Sequence, residues 1–109
     1  MQQSFERGAP VESDVVSTIA DGIGIRVPVP EAVADMQGIV DEIRTVTDEE
    51  IVEAMRLLLS SAGLLIEPAG AAGLAAILAS PSQFEDHHVA VVLCGGNLTE
   101  KQIREWLVH

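Results

Sequence analysis

Basic residues are scarce in this chain: six Lys and Arg stand against seventeen Asp and Glu, a formal charge of −11. That balance repels a polyanion, so nucleic acid and anionic membrane surfaces are excluded as partners. Cysteine is nearly absent. Cys94 has no second cysteine for an internal disulfide, and nothing points to an oxidising compartment. Tyrosine is missing, and with two Phe and one Trp the apolar mass falls to Leu, Ile, Val and Ala, at 48% hydrophobic residues overall. That composition is globular rather than disordered. No apolar run reaches the length of a membrane span, because Arg56, Ser60, Ser61, Glu67 and Pro68 interrupt the richest stretch. The opening MQQSFERGAPVE has no apolar core and reads as no signal peptide. There is no internal repeat, zinc-ligand spacing, P-loop or Gly-x-Ser-x-Gly motif. The expected setting is one small cytoplasmic domain.

What is present divides into a polar arm and a patterned remainder. Residues 1–16 hold Gly8 and Pro10 as breakers and read as an irregular arm before a segment at 17–109. The alternating stretch that ends at Val27 reads as a short strand leading into a turn at Pro28 and Pro30. Pro30 suits the first turn of a helix over roughly 31–38, stopped by Gly38. Residues 40–46 are rich in β-branched side chains and read as a second strand. Thr47 and Glu50 form a capping box for a helix that runs to about Ala62. Its apolar face is Ile51, Met55, Leu58 and Ala62, with Gly63 as the C-cap. Small residues at 70–79 predict a buried helix that packs closely on a neighbour, and 81–86 form a loop. The continuous apolar run 88–94 predicts a strand covered on both faces. Thr99 with Gln102 makes a second capping box, for a last helix carrying Ile103, Trp106 and Leu107 and ending near His109. Alternating strands and helices predict an α/β fold, a partial layered sheet with flanking helices.

Three places suit chemistry, and each has a plainer local reading. Cys94-Gly95-Gly96-Asn97 lies where a strand meets a helix, the usual ligand position in an open α/β sheet. The two glycines let backbone approach a ligand, or they only make a tight turn beside a thiol. Glu67 stands before the small-residue helix, where a carboxylate also serves simply to offset the helix N-terminus. Asp21-Gly22 follows a short apolar segment and is equally an ordinary turn signal. The adjacent His87 and His88 point to opposite faces of an extended chain and make a poor metal site, so no metal ligand is assigned. His109 complements the dipole of the last helix. The eight carboxylates of 31–53, against one arginine, read as a solvated acidic face.

Taken together, four segments carry a resemblance that none carries alone: TIADGIGIRVPVPEAV, VTDEEIVEAMRLLL, IEPAGAAGLAAILA and VAVVLCGGN, in this order. They resemble the C-terminal part of the threonine and serine dehydratases and related racemases, pyridoxal 5'-phosphate enzymes of the tryptophan-synthase-β-like fold. The likeness runs from about Ser4 to Asn97. It implies that Cys94 faces the pyridine nitrogen of the cofactor. A neutral thiol leaves the ring a weaker electron sink, a setting that suits elimination. It further implies that Gly22 lies against the cofactor edge, that Glu67 stands near the active site, and that Gly95, Gly96 and Asn97 complete the turn.

Departures from the family pattern are as informative. The Schiff-base lysine, the substrate-carboxylate loop and the phosphate-binding glycine loop belong to the family's N-terminal part and have no counterpart here. The one lysine, Lys101, follows the CGGN turn on an exposed helix start. The family's acidic cation cluster would precede Met1, and no regulatory domain is expected after the turn. The resemblance therefore implies a portion of an ammonia-lyase that supplies one wall of the cofactor site and does not bind cofactor or work alone. Its partner is expected to be another copy or a complementing N-terminal chain. The rival reading is a non-catalytic truncated module that self-associates or binds another protein.

Overall fold

A computed structural model describes residues 1–108, so the expectations for His109 lie outside the described residues. The chain divides into two compact units. The first combines Met1–Thr18 with Ile23–Thr45; the second combines Ile19–Gly22 with the chain from Val46 onward.

In the first unit the expected irregular arm begins with a helix, α1 (Gln2–Arg7). Gly8 ends it in the left-handed region, at φ 69°, a conformation that costs glycine nothing. Ser4 is fully buried on it, and its hydroxyl accepts the Val11 N–H at 3.0 Å, so a polar side chain inside the unit is satisfied. Helix α2 (Pro30–Met36) starts at the predicted proline and buries Val33. Gln37 Nε2 donates to the Phe5 carbonyl at 3.1 Å, tying the end of α2 to α1. Glu42 and Arg44 pair at 2.8 Å, and that pairing holds the Glu42 carboxyl below its usual range and raises the Arg44 guanidinium.

The second unit is built on α3 (Asp48–Ala62) and α4 (Pro68–Ala79), which pack against each other. The α3 capping box forms as predicted: Thr47 Oγ1 accepts the Glu50 N–H at 3.2 Å, and Glu50 Oε2 accepts the Thr47 N–H at 2.8 Å. Asp48, Glu49 and Glu50 crowd the first turn, where the helix dipole favours negative charge. Gly63, at φ 67°, caps the other end. The buried face is Ile51, Ala54, Met55 and Leu58; Ala62 is exposed because the helix has by then passed the end of the core. Pro68 opens α4 two residues earlier than expected, and Gly70, Ala71 and Ala75 are buried on it. The core joins α3 and α4 through Ile51, Ala54, Met55, Leu58, Ala71 and Ala75, with Ala20 added from the Ile19–Gly22 piece. The second capping box, Thr99 with Gln102, starts α5 (Glu100–Trp106). Arg56 Nε donates to the Trp106 carbonyl at 2.7 Å and fixes the far end of α5 to α3.

No β-strand occurs among the described residues, so the predicted partial sheet is not formed. Of the three segments read as strands, the one ending at Val27 contains only the short 3-10 turn Asp21–Ile23, and those ending at Val46 and at Cys94 have no regular structure. Side-chain patterning names a strand, but only hydrogen bonding to a neighbour makes one, and these segments find no ladder within the chain. The run 88–94 shows this most clearly. Val91 and Leu93 are half-buried, whereas Val89, Ala90, Val92 and Cys94 are exposed, and Val92 retains 82% of its surface. One face is covered, not two. The alternation of a strand survives without its partner.

Candidate functional site

The site-forming geometry lies wholly in the second unit and centres on Glu67, the residue before α4. Its backbone carbonyl accepts the N–H groups of Gly70 and Ala71 at 3.0 and 3.2 Å, so the helix starts there. Its side chain caps nothing on that helix. Instead Oε2 accepts the Asn97 N–H at 3.2 Å, and the Glu67 N–H donates to the Gly95 carbonyl at 3.1 Å. The local reading in which Glu67 serves only its own helix therefore falls short. Glu67 grips the Cys94–Asn97 turn from both ends.

Glycines make that grip possible. Gly95 has φ +72°, and a Cβ there would fall on the Glu67 carboxylate. At Gly70 a Cβ would fall on the Cys94 carbonyl, so the bare backbone of α4 is the seat of the turn. A Cβ on Gly96 would sit 3.0 Å from the Leu65 carbonyl oxygen. Close packing of a small-residue helix was predicted, and the segment it seats is the one carrying Cys94. Gly70 belongs to the candidate segment Glu67–Gly73, but the sequence did not single it out. Its signal was there: glycine inside a helix costs about 1 kcal/mol relative to alanine, and contact this close accounts for it.

Gly22 reaches the same place from the other side. A Cβ on it would meet the Ala69 Cβ at 3.1 Å and Glu67 Oε1 at 3.9 Å. The short 3-10 turn Asp21–Ile23 is placed there by α3: the Ile19 N–H donates to both Asp48 oxygens at 3.2 Å, and Ala20 is buried in the core. Asp48 is the second residue that sequence reasoning missed, because an acid in a first turn already has a reason to be there.

Gly22, Glu67, Cys94, Gly95, Gly96 and Asn97 are thus gathered at the N-terminal end of α4. Cys94 carries a free, exposed thiol. Lys101 stands apart from this group, on α5 beside Glu100, Arg104 and Glu105 around an open surface hollow. His87 lies in the loop before residue 88, with Nδ1 2.9 Å from the Glu85 carbonyl. Among the described residues no three His, Cys, Asp or Glu side chains gather into a metal-binding group, and no helix is long and apolar enough to cross a membrane.

Comparison with known proteins gives this geometry a context. The chain is 36% identical to a catabolic L-threonine dehydratase of Staphylococcus aureus, across all of this chain and 32% of that protein. It is 35% identical to an L-threo-3-hydroxyaspartate ammonia-lyase of a Pseudomonas species, over 89% of this chain and 30% of that one. Among solved structures, a T.th. threonine deaminase superposes with a TM-score of 0.82 at 31% identity, over 90% of this chain and 35% of that one. The chain therefore spans about a third of the length of the relatives it matches. The rival reading of a non-catalytic module gains no support from these matches. The family model for pyridoxal-phosphate dependent enzymes matches residues 1–95, from α1 to Gly95 in the Cys94–Asn97 turn, and the chain belongs to that family.

Proposed function

We propose that this chain is the cofactor-facing C-terminal portion of a pyridoxal-phosphate-dependent ammonia-lyase. Its substrate is a small 2-amino-3-hydroxy acid of the threonine or serine type, converted to the 2-oxo acid with loss of ammonia. The observation that carries the reading is the joining of Gly22, Glu67 and the Cys94–Asn97 turn at one end of α4. Similarity to a threonine dehydratase and a hydroxyaspartate ammonia-lyase supports the substrate class.

The residues fit one side of the cofactor. Cys94 is exposed and offers a neutral thiol, able to face a pyridine nitrogen without holding it protonated. Gly22 and Gly95 present backbone without side chains, which suits the edge of a flat ring. Pyridoxal phosphate, when bound, supplies the electron sink for loss of the substrate Cα proton. What this chain would contribute is placement: Cys94 would tune the ring's electronic character, and Gly22 and the turn would bound the space beside it. An amine for covalent attachment is not part of the group, since the one lysine is Lys101 on α5. We therefore assign the anchor to a complementing N-terminal chain or segment, and place the assembly in the cytoplasm, where an exposed thiol stays reduced.

The test is to assay 2-oxo acid and ammonia release from threonine, serine and threo-3-hydroxyaspartate. The 109-residue chain is compared with the product of the natural reading frame continued upstream. The chain alone is expected to give neither turnover nor saturable visible absorbance with pyridoxal phosphate; the extended product, with an upstream lysine, is expected to turn over. In that product Cys94→Ser keeps most of the activity, whereas Cys94→Asp shifts the balance of products. Turnover by the 109-residue chain alone, or identical behaviour of the serine and aspartate variants, would refute the reading.

A further inference from the structure

We propose that Glu67 is a positioning residue whose side-chain length, rather than its charge, sets where Cys94 stands; this rests on the lyase reading above. Every bond that Glu67 makes to the turn is to backbone. Its N–H donates to the Gly95 carbonyl at 3.1 Å, and its Oε2 accepts the Asn97 N–H at 3.2 Å, so the turn is held on both sides of Gly96. Cys94 is the residue immediately before the first of these contacts, and its own carbonyl rests on the bare Gly70. Anchors at Cys94, Gly95 and Asn97 leave the Cys94 backbone little freedom. Position is then transmitted to its side chain through a short, pinned segment.

The carboxylate also fills the space between two loops. Oε2 accepts the Asn97 N–H, and Oε1 lies 3.9 Å from where a Cβ on Gly22 would stand, so Gly22 borders the carboxylate without a bond to it. The carboxylate is committed to the fold of the site, and its role is to hold Asn97, and with it the turn that carries Cys94, at a fixed spacing from the start of α4. An aspartate at 67 keeps the charge but withdraws the oxygens by one methylene; a glutamine keeps the reach and an oxygen acceptor but not the charge.

The experiment uses that contrast on the intact 109-residue chain without cofactor. Hydrogen exchange is followed at the amides of Glu67 and Asn97, and side-chain couplings report the Cys94 χ1 rotamers. Glu67→Gln is expected to match the parent in both. Glu67→Asp is expected to speed exchange at Asn97 by up to about tenfold, the factor for losing one ordinary hydrogen bond, and to average the Cys94 rotamers. Asp behaving as the parent, or Gln as disturbed as Asp, overturns the proposal. Neither measurement involves turnover, so an inactive extended product would sink the lyase reading and leave this result standing. An active product with unaltered exchange in Glu67→Asp would do the reverse.

Discussion

Two glycines three residues apart in α4 do different work. A Cβ on Gly70 would strike the Cys94 carbonyl, and backbone seated on a helix has nowhere to move. A Cβ on Gly73 would lie 3.0 Å from Val91 Cγ1, the free end of a side chain that can shift by a few tenths of an ångström. Gly70→Ala is therefore expected to destabilise the chain by about 2 kcal/mol or more, through forced displacement of the turn. Gly73→Ala is expected to be close to neutral, since alanine gains up to about 1 kcal/mol in helix propensity and offsets the crowding. Urea unfolding followed by circular dichroism ranks the two; equal effects would show that Cys94 does not rest on Gly70. The sequence marks both positions as small and neither as special. What separates them is the contact of Gly70 with Cys94, far along the chain, and no local pattern encodes that.

At the level of elements, the ends were more legible than the middles. Thr47 and Glu50, Thr99 and Gln102, and the prolines at 30 and 68 each start a helix at or near the expected place, because caps act through bonds within a few residues. Glu67 and the Cys94–Asn97 turn were legible as candidates, but their mutual grip was not, since it spans thirty residues. The strands failed for a related reason: pairing is a property of two segments. Capping also allows a prediction. Thr47→Ala removes a bond at the head of α3, which carries Ile51, Ala54, Met55 and Leu58, and is expected to cost about 1 kcal/mol of global stability. Thr99→Ala removes the equivalent bond from α5, which buries no residue, and is expected to fray that helix alone. Amide hydrogen exchange across the chain distinguishes a global change from a local one.

For the molecule as a whole, surface composition is the informative quantity. Val92 and Ile39 are 82% and 80% exposed, and Val89, Leu78, Leu64 and Leu65 each keep between 38% and 45% of their surface. Apolar surface on this scale favours association, while a charge of −11 disfavours indiscriminate aggregation. We expect a defined oligomer of this chain, or a complex with the complementing N-terminal chain, rather than a free monomer. Light scattering coupled to gel filtration at micromolar concentration checks this. A stable monomer that unfolds cooperatively would show that the segment 89–93 needs no cover.

Gly95 and Glu67 also impose an order on change. While a carboxylate occupies the space beside Gly95, every side chain tried at 95 meets both a collision and a left-handed backbone, so single-step variation finds the position closed. Shortening residue 67 first withdraws the carboxylate from that space, and it also gives up the bond to the Asn97 N–H. The backbone penalty at 95 then remains, about 1–2 kcal/mol for most residues and less for asparagine. A side chain at 95 is thus conditional on a shorter one at 67, and a shorter one at 67 loosens the turn. Positions 67 and 95 are coupled, and neither varies without a consequence for the other.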